Sequence, residues 1–107
     1  MATANKILGQ SKPAAITNTT LYTVPGSTQA NVNIFISNQA SGPDSFRVAI
    51  TKSGSALNVK DYLAYDTPIQ ANTSMNITGI ALAAGDFITV YSISGNCSFN
   101  ACGIEIA

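Results

Sequence analysis

Asn31-Val-Asn-Ile-Phe-Ile-Ser37 and Ser45-Phe-Arg-Val-Ala-Ile-Thr51 decide the fold. In the first, Val32, Ile34 and Ile36 alternate with Asn31, Asn33 and Ser37. In the second, Phe46, Val48 and Ile50 alternate with Ser45, Arg47 and Thr51. Successive side chains of an extended strand point to opposite faces, so each segment presents one apolar and one mainly polar face. The intervening Ser37-Asn-Gln-Ala-Ser-Gly-Pro43 fits either a hairpin or a crossing between sheets.

The same rhythm extends outward. Turn signals recur at Pro25-Gly26-Ser27, Asn38 to Pro43, Ser53-Gly54-Ser55, Gln70 to Ser74, Ala84-Gly85-Asp86 and Gly95-Asn96, with runs of strand length between them. That spacing is the mark of an all-β sandwich or barrel. Further strands are expected over Thr20–Val24, Tyr62–Tyr65 (ending before Thr67-Pro68), Asn76–Leu82 with Gly79 breaking its alternation, Phe87–Ser94, and Ser98–Ile106. Gly103 marks a bulge or a close backbone approach in the last of these. Only Ala81–Ala84 and Leu57–Tyr62 have helical composition, and each is too short to stand alone. The expectation is one domain over residues 1–107, a single antiparallel β-sandwich, jelly-roll or immunoglobulin-like, of seven or eight strands and at most one short helical turn. Its core comprises Val32, Ile34, Ile36, Phe46, Val48, Ile50, Ile88 and Val90.

Composition narrows the function. With 107 residues, five basic and five acidic side chains and a charged fraction of 9%, the chain lacks the basic surplus that phosphate neutralisation requires. Nucleic acid and charged membrane surfaces are therefore not its expected partners. No window approaches the roughly 18 apolar residues of a membrane span, and the start, Met1-Ala-Thr-Ala-Asn-Lys6-Ile-Leu-Gly, has no charged stretch followed by an apolar run. Neutral polar residues replace charge: 11 Ser, 11 Thr and 10 Asn make a surface of hydroxyls and amides. Such groups pack against another chain without the desolvation cost of burying ions. Self-association is the physical expectation.

Zero His removes the commonest general base and metal ligand, and zero Trp the best sugar-stacking ring. Cys97 and Cys102 are five apart in an expected strand, a separation of roughly 16 Å against a limit of about 7 Å for a bridge, so both read as free thiols. Without a base beside them neither is an expected nucleophile. Asp44 and Asp86 follow Gly42-Pro43 and Gly85 as turn carboxylates that bond to backbone N–H groups. No Asp-x-Asp-x-Asp calcium run and no Gly-rich phosphate loop occurs. Four Asn-x-Ser/Thr triplets, at Asn18, Asn72, Asn76 and Asn96, are what chance supplies in a chain this rich in those residues. No catalytic residue, cofactor or metal site is therefore assigned. The residues singled out as a possible ligand or interface set are Tyr22, Tyr62, Tyr65, Asp61 and Asp66, aromatic bodies with polar tips beside carboxylates.

Lys6-Ile-Leu-Gly-Gln10, Thr20-Leu-Tyr-Thr-Val-Pro25, Phe46-Arg-Val-Ala-Ile50, Tyr62-Leu-Ala-Tyr-Asp66 with Pro68-Ile69, Gly79-Ile-Ala-Leu82 with Gly85-Asp86, and Ser98-Phe99 to Gly103-Ile-Glu-Ile106 occur in that order. This pattern resembles small virion structural proteins of tailed phages, nearest to those infecting marine bacteria and cyanobacteria. The resemblance implies a β-sandwich assembled in the host cytoplasm onto the virion, as a capsid decoration (cement) protein or a tail-associated one. Its partners would be itself, as a homotrimer, and the major capsid or tail proteins. It carries no functional residues over. Two other classes stand beside it. One is a host-attachment or glycan-binding module using the tyrosines and loop Asn/Asp residues; the other is a small enzyme, which would need a pocket holding Asp61 and Asp66 together.

Overall fold

A computed structural model describes residues 3–107. Its strands are β1 (Thr3–Ser11), β2 (Thr19–Thr23), β3 (Gln29–Asn38), β4 (Asp44–Thr51), β5 (Tyr62–Ile69), β6 (Ser74–Leu82), β7 (Phe87–Ser92) and β8 (Cys97–Ile106), with one 3-10 turn at Val59–Asp61. They form two four-stranded sheets, ordered β1-β8-β3-β6 and β2-β7-β4-β5, and every pairing is antiparallel. We call them the first and second sheet. The chain is an all-β sandwich, and of the two topologies open to the sequence the strand order is that of a jelly roll. The β3–β4 connection crosses between sheets, whereas β4 and β5 are sequential neighbours in one sheet.

The apolar parity read from the sequence builds the core. Val32, Ile34 and Ile36 from β3, Phe46 and Val48 from β4, and Ile88 and Val90 from β7 are buried, and Ile50 packs partly buried against them. Phe46 of the second sheet meets Phe99 of the first edge to face, with ring centroids 6.2 Å apart, so the sheets interlock at their centre.

The strand boundaries differ from expectation in ways that have physical causes. β1 was not legible as a strand: it is an edge that pairs only with β8, its first five residues are exposed, and no alternation marks it. β5 runs on through Pro68. It is the other kind of edge strand, paired only with β4, so a residue lacking an N–H leaves no outer ladder bond unmade. Ala81 and Leu82 end β6 rather than entering a helix, and the short helical turn lies within Leu57–Tyr62. Gly103 keeps regular register with both neighbours, and a Cβ there would collide with the Asn31 carbonyl oxygen, so it marks the close approach and not a bulge. All four edge strands carry register irregularities: between Ile7 and Gly9, between Thr20 and Tyr22, opposite Val32–Ile34 at Thr78-Gly79, and opposite Phe46–Val48 at Tyr65-Asp66. Gly79 and Asp66 both take left-handed φ there, at 74° and 49°.

Register also assigns the outward residues of the first sheet. Three cross-strand rows are Asn5–Ile104–Asn31–Ala81, Ile7–Cys102–Asn33, and Gln10–Asn100–Phe35–Asn76. Lys6 pairs with Gly103 and Glu105 with Ala30, so both fall on the inward parity near the β1 edge.

Candidate functional site

The tyrosines and carboxylates singled out from sequence divide among three places. On the outward face of the second sheet, the bulge in β5 turns Asp66 toward β4, where its carboxylate takes both ends of the Arg47 guanidinium, Nε at 2.6 Å and Nη2 at 3.2 Å. The guanidinium carbon lies 4.1 Å from the Tyr65 ring centroid and 4.2 Å from that of Tyr91, which faces Arg47 across the β4–β7 ladder. Tyr62 meets Tyr65 edge to face at 4.8 Å. Tyr65, Tyr91 and Asp66 are thus gathered around one arginine, with Tyr62 packed against Tyr65, and hydrogen bonding to Asp66 holds the Arg47 charge more firmly than in free arginine. Tyr65 remains 54% exposed. The result is an aromatic and guanidinium surface whose side chains contact one another.

Asp61 is elsewhere. It is the buried last residue of the 3-10 turn, accepting from Asn58 N at 2.9 Å, Thr51 Oγ1 at 3.1 Å and Lys60 Nζ at 3.2 Å. The Asn58 N–H, more than any other group, keeps its acidity above that of a free carboxyl. It closes the β4–β5 loop and does not share a pocket with Asp66. Tyr22 is in the core, where its hydroxyl donates to Glu105, and Glu105 also pairs with Lys6 at 2.9 Å. Burial, reinforced by Glu105, pushes the Tyr22 phenol up, while the Tyr22 hydroxyl and Lys6 hold Glu105 down. This chain ties β2 of the second sheet to β8 and β1 of the first.

Sequence reasoning missed Arg47 as a member of the cluster and counted Tyr91 only among the tyrosines of a possible sugar-binding platform. Their signal was parity alone: both stand at outward positions of their strands, and only the order β7-β4-β5 puts them beside Tyr65.

The remaining buried carboxylate is structural. Asp44 accepts from Ser45 N at 2.7 Å, Ser92 Oγ at 2.7 Å, Ser94 N at 3.0 Å, Asn96 N at 3.3 Å and Cys97 Sγ at 3.4 Å. Burial alone would raise its pKa, but these donors outweigh it and hold it at about 2. Asp86 accepts from the backbone N–H groups of Ser53 and Ala83 as the turn carboxylate expected, whereas Asp44 bonds locally only to Ser45 and takes its other donors from Ser92 to Cys97. Cys97 and Cys102 are free thiols; Cys97 is buried, and burial followed by the Asp44 charge pushes it up to about 12. Among the described residues no group of three His, Cys, Asp or Glu side chains could hold a metal ion. An open depression of about 420 Å³ beside Ile50, Lys52, Lys60 and Leu63 reaches Asp61, whose two oxygens are already engaged.

No family model matches this chain, no curated protein matches it in sequence, and no solved structure matches it.

Proposed function

We propose that this protein is a non-enzymatic building block of a tailed-phage virion, which decorates or cements the capsid or attaches to the tail through self-association and surface contacts. The observation that carries the reading is the cluster of Arg47, Tyr65, Tyr91 and Asp66 on the outward face of the second sheet. Arginine and tyrosine dominate the binding energy of protein interfaces, because they offer large area with directional polar ends. Here they already contact one another, which lowers the side-chain entropy lost on docking. The jelly roll is a scaffold of viral capsid and lectin domains alike, which is an analogy of fold and supports either destination. Repeated copies on a symmetric shell would turn a modest single contact into a lasting one.

The glycan-binding alternative draws on the same exposed Tyr65. Against it, Arg47 lies over that ring and Tyr62 meets it edge to face, which leaves less of it free to stack on a sugar. The test is retention on particles lacking the protein. The wild-type chain is expected to bind, and Tyr65→Ala to weaken binding by about 30-fold, the equivalent of roughly 2 kcal/mol at an interface hot spot. Absence of wild-type binding, with specific retention on a glycan array instead, would replace the building-block reading by the attachment one.

A further inference from the structure

We infer that the outward face of the first sheet is where a second copy of this chain docks, face against face, as a two-fold pair in place of the homotrimer that the resemblance implies. The inference rests on the building-block reading and names the partner for a surface that reading leaves open. Among the described residues, no charged side chain occupies an outward position of β1, β8, β3 or β6: Lys6 and Glu105, the two charged residues of these strands, take the inward parity. The outward rows are instead amides interleaved with apolar groups. Ile7 is 63% and Phe35 43% exposed, and between them stand Cys102 and Asn33.

Charge complementarity then selects the occupant. A partner bearing ions would have to desolvate them against a surface that offers no counter-charge, which is costly. An amide surface has no such conflict with itself, because each Asn or Gln side chain both donates and accepts and so matches its own copy across a two-fold axis. Size agrees. Four strands about 4.8 Å apart and ten residues long at about 3.3 Å each present about 600 Å² per copy, or about 1,200 Å² for a pair, the lower end of specific interfaces. The edges argue for the face over strand addition, since β1 and β6 both carry a bulge, the device that turns an edge away from foreign strands.

Asn33 is the position to test. Its Oδ1 accepts from the Gly79 N–H at 3.0 Å within the β6 bulge, and Asn33→Asp keeps that acceptor while placing a like charge on each of two opposed faces. Phe35→Arg is the second variant, and Thr20→Lys, on an exposed position of the second sheet, is the control. Association is read by light scattering against concentration, with circular dichroism to certify the fold. Alkylation of half-buried Cys102 by a bulky maleimide reports the same face directly. The wild type and Thr20→Lys should associate and shield Cys102. Asn33→Asp should raise the dissociation constant by about tenfold or more through like-charge opposition, and Cys102 should become reactive. Association of the wild type that neither variant weakens would overturn this assignment while leaving self-association intact. A wild type that stays monomeric at millimolar concentration, with Cys102 open, would overturn both this assignment and the self-association on which it rests.

Discussion

The two outward faces of this sandwich are made from the same kind of strand and differ in how they handle polarity. The second sheet carries its own counter-ions: Arg47 is satisfied by Asp66 and lies over Tyr65 and Tyr91. Among the described residues the first sheet has no ions outward and relies on amides and isolated apolar groups. The difference teaches that a small domain can present two unlike outward surfaces on one core. One is a compact cluster of aromatic rings around an ion pair, and the other a broad neutral surface.

The comparison presumes a shared core, so the largest effect comes from breaking it. Phe99→Ala removes the ring that meets Phe46 across the sandwich and should cost about 3–5 kcal/mol, seen as a lowered midpoint in urea and the simultaneous loss of both surfaces. If only one surface failed, the faces would rest on separable units.

Next in size is the hub that joins the sheets at one end. Asp44 begins β4 of the second sheet and holds Ser94, Asn96 and Cys97 at the entry to β8 of the first. Its folded pKa of about 2 lies below the unfolded value of about 3.9. The folded state therefore binds fewer protons between those values. The stabilisation is fully present above about pH 5 and is lost as pH falls toward 2, by about 2 kcal/mol. Asp44→Asn should flatten that acid limb of the stability curve, and an unchanged limb would assign acid sensitivity to other carboxylates.

Much of this architecture was legible beforehand, for reasons that differ by residue. β3 and β4 are central strands with one buried face each, so alternation betrayed them and fixed the core residues they carry. β1 is an exposed edge and left no period to read. The site was half legible: Tyr65 and Asp66 adjoin in sequence and announced themselves, but Arg47 and Tyr91 reach them only through lateral strand order, which no local pattern encodes. Asp61 and Tyr22 looked equivalent to the others and are not, because hydrogen bonds to Asn58, Thr51 and Glu105 draw them into loop closure and core.

A smaller effect sharpens the contrast between the faces. Arg47→Lys loses the paired hydrogen bonds and the flat contact with two rings, yet the ion pair is partly exposed, so stability should fall by only about 1 kcal/mol. Weakened particle binding with near-normal melting would mark the cluster as a contact surface, whereas a large drop in melting temperature would make it a structural brace. Smaller still, Cys97 should resist alkylation in the folded chain at neutral pH, since burial and the Asp44 charge push its thiol up to about 12. Modification of Cys97 as fast as Cys102 would show that the Asp44 end opens readily.

The central claim, that this chain assembles through a neutral face, is tested most directly by sedimentation equilibrium of the wild-type protein at low and high salt. Contacts made by amides and apolar groups lie outside the reach of ionic screening, whose length shrinks from about 10 Å at 0.1 M to about 3 Å at 1 M. The association constant should therefore be the same or slightly larger at about 1 M salt than at about 0.1 M. Association that collapses with added salt would place the contact on the charged surfaces, and a monomer under both conditions would contradict assembly through this face altogether.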